Sequence, residues 1–258
     1  MKVILSRKGF DSAAGGIPSP ILPDGTLLSM PIPADNANTY DELFVGEKSY
    51  MQILKELKPS FQKSNCHLDP DIRKDCCVRA DNWVAAFGQA GAALTHLENQ
   101  GVGEGDLFLY FGWFRKTEYT SDGKLQFIKG APDVHVIFGY LQIGKILKGA
   151  DQMKAVAWHP HVGYGDSLNA IFVASDRVLD LDKPGYGVFS YDERLVLTKP
   201  GEQRSRWLLP QCLQGKNLSY HSAKNIRDGY FQSAMRGQEF VIEADDDILD
   251  WVKSLMIE

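Results

Sequence analysis

Two segments carry residue types that do chemistry, at spacings that would let them act together. In Arg7-Lys8-Gly9-Phe10-Asp11-Ser12-Ala13-Ala14-Gly15-Gly16, two cations, a carboxylate and a hydroxyl precede a glycine pair. Arg7, Lys8 and the backbone N–H groups of Gly15 and Gly16 can be aimed at a phosphate or carboxylate. Asp11 can act as a general base or orient a ligand hydroxyl. Asp24, in the turn Pro23-Asp24-Gly25 further along the same glycine- and proline-rich stretch, is another ligand-binding candidate. The second segment is Trp158-His159-Pro160-His161. Two histidines two residues apart face the same side of an extended chain, and each can donate or accept a proton near neutral pH. With Asp166 they could also ligate a metal. Two histidines alone do not make such a site, so we take them as metal-free acid–base candidates and assign no metal ligands.

Two further strings suit a nucleobase or an anion. Phe111-Gly112-Trp113-Phe114-Arg115 is aromatic and ends in a cation, so Trp113 could stack on a base while Arg115 holds an anion. His135 and Gln142 follow on the next apolar run. Gln203-Arg204-Ser205-Arg206-Trp207 sets two arginines beside a tryptophan, and Arg206 is the ligand-binding candidate there. The expected catalytic residues are therefore Asp11, His159 and His161. The expected ligand-binding residues are Arg7, Lys8, Gly15, Gly16, Asp24, Trp113, Arg115 and Arg206.

Several chemistries are excluded by what is missing. No GK[ST] occurs and no helix opens after the glycines, so the first loop is neither a Walker nor a dinucleotide-binding motif. GxSxG, HExxH and the zinc-deaminase signature are absent. Cys66-His67 with Cys76-Cys77 matches no closed zinc spacing, and the four cysteines read as reduced packing residues. A net charge of −5 leaves no basic stripe at the level of the whole chain, which favours a single nucleotide or extruded base over a long duplex. No run has the length of a membrane span or the form of a signal peptide, so a cytoplasmic protein with no membrane partner is expected.

The elements that must position these residues follow from periodicity. Residues 3–6 read as a buried strand and 26–30 as a short one. A helix is expected over 49–57 with Ser49 as its cap. A longer helix is expected over 80–99, where Trp83, Phe87, Ala90, Leu94 and Leu97 recur at helical steps and Gly101 follows. Strands are expected over 106–114, 125–129, 134–147, 170–174, 187–190, 195–198, 207–209 and 240–242. Gly139 and Gly144 should curve the third of these. Asp245-Asp246-Asp247 opens a last amphipathic helix. The pattern implies a single α+β domain over residues 1–258. Its sheet would be mixed, largely antiparallel and curved, with helices packed to one side.

The string SRKGFDSAAGGIPSPILPDGTLLSMPIP, the strand DLFLYFGWFR and the segment AWHPHVGYG together resemble the nucleotide modification associated domain 3 family. The resemblance spans most of the chain. It implies an α+β domain of bacteria and phages, linked to systems that modify bases in DNA, with a nucleotide or DNA base and other DNA-modification proteins as partners. It implies no particular cofactor. Arg7, Asp11, Asp24, Arg115, His159 and His161 lie in the matching strings. A shorter similarity of GDLFLY and IFGYLQIG to paired strands of PUA- or EVE-like barrels implies a different role, a non-catalytic reader of modified bases. The leading expectation is an enzyme acting on a nucleotide or extruded base; the alternatives are that reader or a structural subunit of a modification complex.

Overall fold

The structure is a computed structural model that describes residues 1–35, 38–164, 168–234 and 239–257. Among the described residues nine strands form the main sheet. They are β1 (Lys2–Arg7), β2 (Ser19–Ile21), β3 (Ala86–Ala90), β4 (Leu107–Tyr119), β5 (Leu125–Phe127), β6 (Val134–Lys148), β7 (Asn169–Ala174), β8 (Tyr186–Val188) and β9 (Glu239–Glu243). The sheet order is β9-β1-β4-β6-β7-β3, with β8 beside β6 and with β2 and β5 beside β4. β1 and β2 run parallel to β4, and the remaining pairs are antiparallel. The helices are α1 (Tyr50–Leu57), α2 (Gly91–Asn99), α3 (Gly149–Met153) and α4 (Asp246–Met256).

β1 has neighbours on both edges, which is why Val3, Ile4 and Leu5 are fully buried. β6 pairs out of register between Ile137 and Gly139 and again between Ile143 and Lys145, at the two glycines expected to curve it. The curl brings β3, at one end of the strand path, up to β9 at the other. There Gln89 Nε2 donates to Glu239 Oε1 at 2.7 Å. No ladder joins β3 to β9 among the described residues, so the sheet is curled without closing into a barrel. Phe87, Phe108, Tyr110 and Phe172 fill the inner face, with ring centroids 4.9–5.9 Å apart.

Both outer helices start where the sequence places them. Ser49 and Gln52 form a capping box at α1, and the Asp245 carboxylate accepts from the Ile248 N–H at the start of α4. The long helix expected over 80–99 is different. Residues 86–90 form β3, and only Gly91–Asn99 is helical. Ala-Phe-Gly-Gln-Ala has weak intrinsic preference, so the ladder from β7 decides. Residues 26–30 and 195–198 make isolated bridges rather than strands.

A second core lies under the opening loop, where Phe10 packs against Tyr40 and Phe61. Gly15 lies directly over that ring with φ +88°, and a Cβ there would come within 2.2 Å of Phe10. The glycine therefore serves the packing of the loop.

Two polar contacts inside the sheet carry stability consequences. Lys8 Nζ and Glu239 Oε1 are 2.9 Å apart with both side chains almost wholly enclosed. Lys8→Met would strand a buried carboxylate and should lower stability by about 3–5 kcal/mol, read as a lower urea midpoint. On the opposite face the Trp207 indole N–H donates to His135 Nδ1 at 3.0 Å. Burial, and then the nearby Arg7 and Arg204, push the His135 imidazole from 6.5 down to about 3. The unfolded chain therefore takes up a proton below pH 6.5 that the folded chain refuses until about 3, so stability falls as pH falls through that window. His135→Asn, whose amide oxygen can replace Nδ1, should flatten this acid limb by about 1 kcal/mol per pH unit in urea titrations at pH 7 and 5.

Candidate functional site

Alternation along β1 divides the candidate residues between two faces of the sheet. Ser6 and Lys8 project to the concave side with Tyr110, while Leu5 and Arg7 project to the other with Phe111.

On the Arg7 side is an open cleft of about 710 Å³, lined in part by Arg7, Asp11, Ser12, His135 and Arg204. Arg204 Nη2 donates to Ser12 Oγ at 2.7 Å, and its guanidinium lies 4.1 Å over the Trp113 ring. Trp113 Nε1 is buried without a hydrogen-bond partner among the described residues. Arg7 is held below its usual range by burial, with Asp11 and Glu239 opposing the shift.

The other expected residues near this loop are committed to local structure. Asp11 Oδ1 accepts from the Ala13 and Ala14 N–H groups at 2.7 and 2.6 Å. The Gly16 N–H donates to the Asp11 carbonyl, and Lys58 Nζ donates to the Gly15 carbonyl. The glycine pair thus closes the loop on itself, and the Gly16 N–H is not left for an anion. Asp24 Oδ1 accepts from the Thr26 N–H at 2.9 Å, an Asx turn. Arg115 is 2.7 Å from Asp133, and Arg206 is 2.8 Å from Glu202.

His159 and His161 sit elsewhere. The cleft that Asp11 lines includes neither of them. Pro160–Gly163 is a one-turn 3-10 helix rather than an extended segment, with His159 as its N-cap. Both rings nevertheless turn inward, their centroids 5.6 Å apart. They meet His67, on a short strand paired with Ile32–Pro33, and Asp69 just beyond it. His67 Nε2 lies 3.1 Å from His161 Nε2. Asp69 Oδ2 is 4.0 Å from the first and 3.9 Å from the second. Asp69 Oδ1 accepts from the Gly88 N–H at 2.7 Å and lies 3.4 Å from His159 Nε2, too long for a well-formed bond. The His161 ring covers Gly88 so closely that a Cβ there would meet it at 2.2 Å.

The tautomer of His161 follows from its neighbour. The Asn169 amide donates to the His161 carbonyl at 2.8 Å, which turns its Oδ1 toward His161 Nδ1 at 2.9 Å. Nδ1 therefore carries the proton, and the Nε2 lone pair points into the cluster. Burial is the largest influence on His67 and on His161 and lowers both, against the pull of Asp69. Burial alone would raise the Asp69 carboxyl, but His159, His161 and His67 together bring it down to about 2. The result is an enclosed carboxylate facing imidazole nitrogens.

The Lys8–Glu239 pair and Gln89 adjoin this cluster. Ser6 Oγ, Lys8 Nζ and Gln89 Nε2 all point at Glu239 Oε1. The Tyr110 hydroxyl is buried without a hydrogen-bond partner among the described residues, and burial followed by the Asp69 and Glu239 charges raises it well above its usual range. Tyr164, half exposed, stacks on His161 at 4.9 Å and 9°.

The sequence reading assigned no metal ligands, yet His67, Asp69 and His161 form a group able to hold an ion. Asp166, once weighed as a ligand, lies outside the described residues. His67 suggests a ligand only in company with Cys66, Cys76 and Cys77, whose spacing fits no zinc site, and Asp69 sits in a turn-rich stretch 92 residues before His161. The available signal was the His-x-Asp spacing of His67-Leu68-Asp69, which a short strand presents on one side.

A family model described as nucleotide modification associated domain 3 matches residues 2–243. That span takes in β1, the opening loop, both parts of the histidine–aspartate cluster and Glu239. No curated protein and no solved structure matches the chain. On the strength of that match over almost its whole length, the chain belongs to the nucleotide modification associated domain 3 family.

Proposed function

We propose that this chain is an enzyme acting on a nucleotide or an extruded DNA base, with its reacting centre at His67, Asp69, His159 and His161. One observation carries the reading: the enclosed Asp69 carboxylate lies within 4.0 Å of the imidazoles of three histidines, in a chain whose family is associated with nucleotide modification. Such groups are costly to bury and gather where chemistry needs them. In this reading His159 and His161 keep the acid–base role expected from the sequence. Asp69 takes the place given there to Asp11, whose carboxylate is spent on its own turn. Lys8 and Glu239 hold the fixed charge beside the centre, and the Tyr110 hydroxyl is a donor still to be matched by substrate.

The cleft on the other face supports a second, non-catalytic reading. Its volume, the Arg204 guanidinium over Trp113 and the nearby Arg7 suit binding of a nucleotide without turnover.

The two readings separate by which face matters. The modified nucleosides in DNA from cells carrying the gene can be measured by mass spectrometry. Asp69→Asn and His161→Ala should each reduce the modified nucleoside more than about 100-fold, the effect of losing an acid–base group. Wild-type levels in both folded variants would remove the enzyme reading. Arg204→Ala should weaken nucleotide affinity about tenfold, a loss near 1.4 kcal/mol, if the cleft binds the ligand. Asp11→Asn preserves the Asx turn and should change stability by less than about 0.5 kcal/mol, as measured by urea unfolding.

A further inference from the structure

The histidine–aspartate cluster gathers three metal-ligating atoms around one point. Its three facing atoms, His67 Nε2, His161 Nε2 and Asp69 Oδ2, are separated by 3.1, 3.9 and 4.0 Å. A triangle with those sides has one interior point about 2.1 Å from every corner, which is the length of a bond from a transition metal to imidazole nitrogen or carboxylate oxygen. The Nε2–Nε2 separation is also that of two imidazoles on one ion. Asn169 fixes the His161 tautomer so that a lone pair, not a proton, faces that point. An acceptor hydrogen-bonded to the far nitrogen of a ligating histidine fixes its tautomer and ring orientation, and Asn169 Oδ1 is such an acceptor. An independent observation points the same way. His159 is fully enclosed, its Nδ1 accepts from the His161 N–H, and its Nε2 lies 3.4 Å from Asp69 Oδ1, which holds that carboxylate toward the cluster.

We infer that His67, Asp69 and His161 bind one divalent first-row transition-metal ion, with His159 beside it and Asn169 orienting His161. Two imidazoles and a carboxylate favour an ion such as Zn²⁺, Co²⁺ or Fe²⁺ over Mg²⁺ or Ca²⁺, which take mostly oxygen ligands. Three protein donors leave coordination positions open for water or for a substrate atom. The inference rests on the same site as the proposed enzyme and adds its metal: with the ion bound, His161 and Asp69 serve as ligands and the acid–base role passes to His159, but the metal is tested without turnover.

The full chain, stripped with chelator, would be titrated with Co²⁺ and followed by visible d–d absorption, with metal content checked by elemental analysis. The expected result is one equivalent bound, displaced by Zn²⁺ and unaffected by excess Mg²⁺ or Ca²⁺. His67→Gln and Asp69→Asn should each weaken binding by more than about 100-fold. Asn169→Ala, one shell out, should weaken it about 10–100-fold. Zn²⁺ should raise the melting temperature of the wild type and leave both ligand variants unchanged, which also reports whether the variants fold. Failure of the folded wild type to take up Co²⁺ or Zn²⁺, or equal binding by the ligand variants, would overturn the metal site. Loss of DNA modification in Asp69→Asn without any metal uptake by the wild type would sink this inference and leave the enzyme standing. Metal uptake with normal modification in both ligand variants would do the reverse.

Discussion

The interaction on which the rest of the architecture depends is the clasp around Glu239. One carboxylate oxygen at the start of β9 receives Ser6 from β1, Lys8 from just beyond its end and Gln89 from β3. β3 and β9 are the two ends of the six-strand path, and no backbone ladder joins them among the described residues. The clasp therefore does through side chains what a closed barrel does through its backbone. A buried ion pair contributes little net stability when its desolvation cost is counted. Its effect is positional: β3 can lie in only one place relative to β1, and Gly88, one residue before Gln89, is thereby brought to Asp69.

From that placement the two-faced character of the molecule follows. Adjacent residues on β1 must point in opposite directions. Lys8 enters the enclosed concave face and Arg7 the open cleft. A string that looks like one cationic loop end in the sequence thus serves two environments. The enclosed face is buried and aromatic, so each charge in it is felt strongly by its neighbours. The open face carries arginines already engaged with Asp133, Glu202, Ser12 and the Trp113 ring. An ionised group there is screened by water, and its pairings are worth about 0–1 kcal/mol each.

The features legible in the sequence are those whose signal is local. The caps at Ser49 and Asp245 are read from a few residues, and so are the bends at Gly139 and Gly144 and the family strings. The strand at 86–90 was hidden, because Phe87 fits a helical stripe as well as it fits β3 and only the pairing with β7 decides between them. The centre was half legible for the same reason. His159 and His161 stand out as a pair, whereas Asp69 lies in the string Leu68-Asp69-Pro70-Asp71, where an aspartate before proline looks like an ordinary turn residue. Its partners arrive from β3 and from a loop about ninety residues later. Asp11 drew attention because it sits among glycines, yet carboxylates in such loops commonly cap their own turns, and this one does.

Charge balance gives the enclosed face its chemical character. Lys8 answers Glu239, and Arg79 answers Asp71 at 2.7 Å. Asp69 is left with the Gly88 N–H and the surrounding imidazoles as its partners, and no Lys or Arg pairs with it among the described residues. Neutral imidazoles can donate a hydrogen bond to a carboxylate, but they do not neutralise it. The orientation of His161 spends its one proton on Asn169 and turns a lone pair toward the same space. The His161 lone pair and the Asp69 carboxylate both face that space, and each favours a positive group within it, the more so in a buried site. Proton and metal ion are the two candidates chemistry offers. A proton can sit between two of the three atoms, because His67 Nε2 and His161 Nε2 are within hydrogen-bonding distance. It cannot reach Asp69 Oδ2 at 3.9–4.0 Å as well. An ion bonded at about 2.1 Å reaches all three at once.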